Sequence, residues 1–135
     1  MFFVPLIWSF VILFTFEAKL TATTPEAIKD SITKASLYLR TYGQEPDGSF
    51  SPQSGPAITA LAAAALVRTG TSADSPMVLR AVEYLLTFQQ SDGGIYQRES
   101  AVANYETSIA ILALHECNTS RRYDEIIQKA RRFLT

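Results

Sequence analysis

The first apolar pattern in the chain after its leader has the period of an α-helix. Across residues 25–42, apolar side chains recur at spacings of four, three and four, and charged residues lie between them. The apolar positions are Ile28, Ile32, Ala35 and Leu39. This spacing predicts a surface helix with one buried face. Thr24-Pro25-Glu26 provides a hydroxyl N-cap, a first-turn proline and a first-turn acid for its start.

A second kind of segment is apolar around its whole circumference. Residues 58–67 contain five alanines, and Thr59 is the only polar residue of this segment. The composition predicts a helix that is buried on most sides and that neighbouring helices can approach closely. Arg68 and Gly70 are typical of its last turn and its termination. The Gly and Pro residues in 43–56 argue against a regular element there.

The same cycle then repeats, ending in a fifth predicted helix. Ser75-Pro76 starts an amphipathic helix with a stripe at Val78, Ala81 or Val82, and Leu85. A loop from Gln89 to Asn104 leads into a second apolar helix, 107–114, which aligns with 59–66 at an offset of 48. Thr119 or Ser120 caps a last helix from about residue 123. Its buried side consists of Ile126, Ile127, Ala130, Phe133 and Leu134. The predicted fold class is therefore all-α.

A short motif accompanies each amphipathic helix. Lys/Arg-Ala-x-x-aromatic-Leu occurs three times, and its alanines, Ala35, Ala81 and Ala130, lie 46 and 49 residues apart. The first two copies continue into Gln-x-x-Asp-Gly. These continuations are Gln44, Asp47 and Gly48, then Gln89, Asp92 and Gly93. A period of this length is typical of repeat architectures, in which each unit buries its flank against the next.

The motif resembles the QW repeat of the squalene-hopene cyclase and protein prenyltransferase superfamily over residues 25–135. The second copy matches every position except the last, where Ile95 replaces Trp. The first copy has one extra residue, Gly43, and carries Phe50 at the Trp position, and the third breaks off before its Gln. The resemblance implies an α/α toroid segment, 23–135, of about two and a half hairpins. It also implies that the motif residues brace the ends of the outer helices.

Two and a half hairpins cannot close a ring. We therefore expect the chain to be a piece of a longer repeat protein, or else to expose apolar flanks that a protein partner covers.

The sequence offers few candidate catalytic or metal-binding residues. The class II terpene cyclases resembled here use an Asp-x-Asp-Asp acid cluster, and the prenyltransferases bind zinc through Asp-x-Cys and a distant His; neither motif occurs in this chain. His115 and Cys117 would point about 200° apart on a helix, so one ion could not reach both. Asp124-Glu125 is the only adjacent acid pair. We therefore predict no catalytic residue, no metal ligand and no cofactor.

Tyr105 and Glu106 open the second apolar helix. In the resembled toroids the N-termini of inner helices face the central cavity, so these two residues are the candidate cavity-lining residues. The alternative is that Glu106 is a first-turn acid that interacts with the helix dipole.

The N-terminus reads as a leader, here assigned to residues 1–22. Residues 2–16 hold no charge, yet this run is shorter than the roughly 20 apolar residues that span a bilayer. Three interpretations stand: a signal peptide, an uncleaved membrane anchor, or a packed first helix. The first two predict an exported or membrane-associated protein. Cys117 is the only cysteine.

Two functions follow from these observations. The first is a segment of a terpene-cyclase-like or prenyltransferase-like protein, whose partners are an apolar, isoprenoid-like ligand and the remaining repeats. The alternative is an exported non-catalytic scaffold that binds a protein or a lipid-like ligand. A net charge of −1 provides no bulk attraction to nucleic acid.

Overall fold

The structure, a computed structural model, describes residues 24–135, and its α-helices are five. They are α1 (Pro25–Tyr38), α2 (Pro56–Arg68), α3 (Pro76–Leu86), α4 (Ala103–Glu116) and α5 (Asp124–Phe133). A π-helical turn, Leu39–Gly43, extends α1, and 3₁₀ turns cover Pro52–Ser54 and Thr119–Arg121. Residues 24–135 contain no strand beyond one isolated bridge between Gln89 and Ile95. The predicted all-α class is confirmed for this range.

The predicted leader, 1–22, lies outside the described residues, so its three interpretations stay predictions. Among the helices of residues 24–135, none combines the length and the apolarity needed to cross a bilayer.

Helix ends follow the sequence signals at three of four predicted positions. The Oγ1 of Thr24 accepts a hydrogen bond from the Ala27 amide, and the Oγ of Ser75 accepts one from the Val78 amide. Gly70, with φ of 97°, follows the end of α2. The predicted cap of α5 was wrong. Ser120 lies in a 3₁₀ turn with φ of 63°, and the Asn118 side chain accepts the Tyr123 amide hydrogen bond instead.

The two apolar helices, α2 and α4, lie side by side and run parallel; we call them the central pair. Arg68 at the end of α2 pairs with Glu116 at the end of α4 at 2.8 Å. At the opposite end, Gly55 before α2 lies against the Glu106 carboxylate in the first turn of α4. The amphipathic helices flank this pair, with α3 mainly on α2 and α5 on α4.

The core follows this arrangement. The main cluster joins α2, α3, α4 and α5 through large apolar side chains. Its fully buried members include Leu66, Val78, Val82, Ile95 and Leu114. A second cluster of Ala60, Ala64, Leu85 and Ala113 lies where α2 meets α4. Of the five alanines in 58–67, Ala60, Ala63 and Ala64 are buried, and Ala60 and Ala64 pack with Ala113 of α4.

The burial prediction for α1 was wrong. No residue of α1 is buried, and Ile28 and Ile32 of its apolar stripe are 49% and 39% exposed. The prediction that α2 is buried on most sides is confirmed, and its one exposed side carries Ile58 and Leu61. The reason is geometric: α4 and α3 are the helices that pack most extensively on α2, and within residues 24–135 the extensive contacts of α1 are with the π-helical turn that extends it.

Candidate functional site

The loop after the first repeat motif is built around the Asp47 carboxylate. Its Oδ1 accepts hydrogen bonds from the Ser49 amide at 3.0 Å and the Ser49 hydroxyl at 2.7 Å. These bonds, the backbone one first, hold the pKa of Asp47 below its usual value. The next amide, that of Phe50, donates to Thr59 Oγ1 on α2 at 3.0 Å. The loop is therefore fastened to the central pair.

The second loop repeats this construction. Asp92 Oδ1 accepts from the Gly94 amide at 2.9 Å, and the Ile95 amide donates to Thr107 Oγ1 on α4 at 3.1 Å. The Tyr96 hydroxyl also donates to Asp92 Oδ2 at 2.6 Å. The Tyr96 bond first, then that from Gly94, keeps the pKa of Asp92 below its usual value. The two copies therefore agree in hydrogen bonding as well as in sequence.

Each loop also contacts the next flanking helix through its glycine. A Cβ built on Gly48 would lie 2.3 Å from the Arg80 carbonyl oxygen on α3. A Cβ on Gly93 would lie 2.8 Å from the Lys129 carbonyl oxygen on α5. Both glycines have φ of 93°, which an L side chain rarely adopts. Close backbone contact and positive φ together explain why the motif requires glycine there.

The glutamines do not behave alike in the two copies. Gln44 Nε2 donates to the carbonyls of Gly48 and Met77, and Arg80 donates to Gln44 Oε1 at 2.7 Å. Gln44 therefore ties its own loop to the first turns of α3. In the second copy it is Gln90, the residue after the motif's Gln89, whose side chain donates to the carbonyls of Phe88 and Tyr96. The side-chain hydrogen bonds of Gln90 therefore stay within its own loop.

The Trp position of the repeat is occupied differently in the two copies. Ile95 is fully buried in the main cluster, whereas Phe50 is half-buried and packs against it. Both residues present their backbone amides to a threonine of the central pair.

Sequence reasoning did not assign Thr59 and Thr107 a role. Both are fully buried, and each accepts the amide hydrogen bond of the residue at the Trp position. The signal that could have found them is their equivalent position in the aligned segments 59–66 and 107–114, 48 residues apart.

The two candidate cavity-lining residues lie in different surroundings. Tyr105 is 51% exposed, whereas Glu106 is only 5% exposed. Glu106 Oε2 accepts the Gln97 amide hydrogen bond at 3.0 Å. A hydrogen-bonded carboxylate at the start of α4 fixes the loop before the helix. The Glu106 carboxylate also lies against the turn at Gly55.

The structure separates His115 from Cys117. His115 is exposed, whereas Cys117 is 2% exposed and belongs to the main cluster. Burial raises the pKa of the Cys117 thiol to about 11, so it stays protonated at neutral pH. Among residues 24–135, no three His, Cys, Asp or Glu side chains lie close enough to share a metal ion.

The adjacent acids Asp124 and Glu125 are both paired with bases. Bonds from Arg121 and then Asn118 lower the pKa of Asp124, and a bond from Lys129 lowers that of Glu125. A general acid near neutral pH needs a raised carboxyl pKa, so this pair is unsuited to protonating a substrate.

In comparisons with known proteins, the chain matches no protein-family model, no curated protein and no solved structure. The repeat resemblance therefore stays a prediction based on the motif residues themselves.

Proposed function

We propose that the chain is a helical repeat segment of the terpene-cyclase and prenyltransferase type. In this proposal it forms part of an α/α toroid wall around an apolar ligand, and the catalytic residues lie outside the chain. The equivalence of the two repeat loops supports a repeat architecture. It does not by itself select a ligand.

One observation carries the ligand-binding proposal. Thr59 and Thr107 bond to the loops, so they mark the side of α2 and α4 that faces the flanking layer. Residues two positions further along a helix point about 200° away. Those residues are Leu61 and Ile109, which are equivalent in the repeat and lie on the opposite side of the central pair. An apolar row repeated at the same position in each unit suits an elongated hydrocarbon ligand.

The test is binding of a fluorescent isoprenoid alcohol, followed by anisotropy. We expect saturable binding by the full chain, and each of Leu61→Glu and Ile109→Glu to weaken it about tenfold, or about 1.4 kcal/mol. Ile28→Glu, which places the same charge on α1 away from this row, is the matched control. Absence of binding by the unsubstituted chain, or an equal loss with the control, contradicts the proposal.

The same purified chain should not convert squalene or a prenyl diphosphate. The Asp-x-Asp-Asp acid cluster of the terpene cyclases is missing from the sequence. Hydrogen bonds lower the pKa values of Asp124 and Glu125, so both carboxylates stay ionised near neutral pH. Measurable turnover by the isolated chain would contradict this part of the proposal.

A non-catalytic scaffold is the second candidate, favoured by the exposed apolar residues on α1 and α2. Such surfaces are typical of sites that another protein covers. Downstream coding sequence discriminates between the two. An Asp-x-Asp-Asp cluster, or an Asp-x-Cys with a later His, supports the enzyme segment. A reading frame that lacks both supports the scaffold.

A further inference from the structure

A cavity of about 470 Å³ lies between the π-helical turn after α1, the link from α2 to α3, and the first turns of α3. Two arginines line it, Arg40 of the π-helical turn and Arg80 of α3. The hydroxyl groups of Thr71, Ser72 and Ser75 belong to the same lining. Within residues 24–135, no carboxylate is among the lining residues, so the side chains around the cavity carry two positive charges and no negative charge.

Arg80 is held by a neutral side chain. Its Nη2 donates to Gln44 Oε1 at 2.7 Å. Gln44 is itself fixed, because its Nε2 donates to the carbonyl oxygens of Gly48 and Met77 at 3.0 and 2.8 Å. A guanidinium has five N–H groups, and this bond uses one of them. The guanidinium is therefore positioned at the cavity by a partner that does not neutralise its charge.

Arg40 is held in the same way. Its Nη2 donates to Thr71 Oγ1 at 3.2 Å, and Thr71 is only 7% exposed. The link 69–75 contains one acid, Asp74, whose Oδ1 pairs with Arg122 at 2.9 Å. Neither cavity arginine forms an ion pair with a carboxylate of residues 24–135. Both charges are therefore left to an anion that enters from solvent.

The other copies of the repeat motif neutralise the base that is equivalent to Arg80. In each of them this base pairs with an acid four residues earlier. The pairs are Lys34 with Asp30 at 2.7 Å and Lys129 with Glu125 at 2.9 Å. The residue four positions before Arg80 is Pro76, and the second copy carries Leu86 at the position of Arg40. The repeat fold therefore does not require two arginines without acid partners at this place.

We propose that this cavity binds a phosphate group, with Arg40 and Arg80 donating hydrogen bonds to its oxygens. A phosphate dianion matches the two positive charges, and its oxygens accept charge-assisted hydrogen bonds from guanidinium groups. The lining hydroxyls are further donors to the same group.

The size of the cavity leaves room for more than the ion. Its volume lies within the range of small-molecule pockets. A second cavity of about 320 Å³ adjoins it and shares Arg40, Gly70 and Thr71. Neither Leu61 nor Ile109 lines either cavity, so the inference does not depend on the apolar ligand proposed above.

Amide NMR of the full chain tests the binding. Inorganic phosphate is added at constant ionic strength, with chloride as the reference anion. The amides of Gly70, Thr71 and Ser72 should shift saturably, with a dissociation constant on the order of 1 mM.

The second repeat loop provides a control within the same spectrum. Ser91 and Gly93 line a cavity of about 270 Å³ together with Lys129 and Arg132, but this lining includes the Asp92 carboxylate. The amides of Ser91 and Gly93 should therefore not follow the phosphate titration.

Substitution of the arginines gives a second readout. Arg40→Gln and Arg80→Gln should each weaken phosphate binding about tenfold or more. Arg40→Lys keeps the charge but loses the planar donor fork, so it should weaken binding about threefold. Arg131→Gln removes the same charge from an exposed position on α5 and should change the dissociation constant by less than about twofold. Because Arg80 also supports Gln44, the Arg40 variants carry the test if Arg80→Gln fails to fold.

Phenyl phosphate distinguishes the two sources of the phosphate group. Tighter binding than that of inorganic phosphate, weakened by the same arginine variants, identifies an ester as the ligand, and equal binding identifies the ion itself. The absence of saturable shifts in 70–72 would overturn the proposal. Equal shifts at Ser91 and Gly93, or an equal loss of binding in Arg131→Gln, would overturn it too, because either result indicates general attraction of anions.

Discussion

At the scale of single residues, the repeat loops depend on glycines that let backbone approach backbone. Gly48 and Gly70 have φ of 93° and 97°, but only Gly48 has a neighbour, the Arg80 carbonyl, in the place of a Cβ. Gly70→Ala should cost about 1 kcal/mol, because it adds only the strain of positive φ. Gly48→Ala should cost about 3 kcal/mol, because the contact must also open. Urea unfolding of both variants measures the difference, and equal losses would contradict the steric argument.

A second residue-scale prediction concerns pH. Bonds from Tyr96 and Gly94 depress the pKa of Asp92 in the folded state. A depressed carboxyl pKa contributes stability above the unfolded value of about 3.9, and this contribution is lost as pH falls through the folded pKa. Between pH 6 and pH 2, the Tm of Asp92→Asn should therefore fall less steeply than that of the unsubstituted chain. Tyr96→Phe should show an intermediate slope. Parallel Tm curves for all three proteins would contradict the assignment.

Residue type predicts local backbone roles better than it predicts side-chain partners. The Asp-Gly pairs suit turns, since Asp accepts amide hydrogen bonds and Gly adopts positive φ wherever they occur. The hydrogen-bond partners of Gln89 could not be predicted from its residue type. An amide side chain bonds to whichever carbonyls its surroundings offer, and in the second loop Gln90 is the residue that reaches them.

At the scale of elements, the central pair depends on small side chains. Ala113 is fully buried in the cluster with Ala60 and Ala64. Ala113→Leu should cost about 1–3 kcal/mol, because α2 and α4 must separate to admit the larger side chain. Ser108→Leu makes the same kind of change on the exposed side of α4 and should stay within about 0.5 kcal/mol. Denaturant unfolding of the two variants checks this. Equal effects would mean that α2 and α4 are not closely packed.

Helix order and approximate helix bounds could be predicted from the sequence, because apolar period and capping residues are local properties. Whether the apolar stripe of α1 is buried could not be predicted from the sequence. The spacing of Ile28, Ile32 and Ala35 shows that α1 has a face suited to burial, but it does not show which neighbour covers that face. The same limit applies to Glu106, because its bond to the Gln97 amide depends on a loop fold that no local pattern specifies.

At the scale of the whole molecule, the two repeat units are joined by one continuous core rather than packed as independent hairpins. Leu66 of α2 and Leu114 of α4 are equivalent in the repeat, and both belong to the main cluster, which reaches Ile127 of α5. Neighbouring units in a repeat array stabilise one another through such shared interfaces. A cavity in the first unit should therefore weaken the last one.

Leu66→Ala provides the test. The substitution should cost about 2–5 kcal/mol of unfolding free energy, a large share of the roughly 5–15 kcal/mol of an ordinary domain. If the units are coupled, amide hydrogen exchange in α5 should accelerate along with exchange in α2. Leu61→Ala, which removes the same atoms from an exposed position on the same helix, should leave α5 protection nearly unchanged. Faster exchange confined to α2 in Leu66→Ala would show that the units unfold separately.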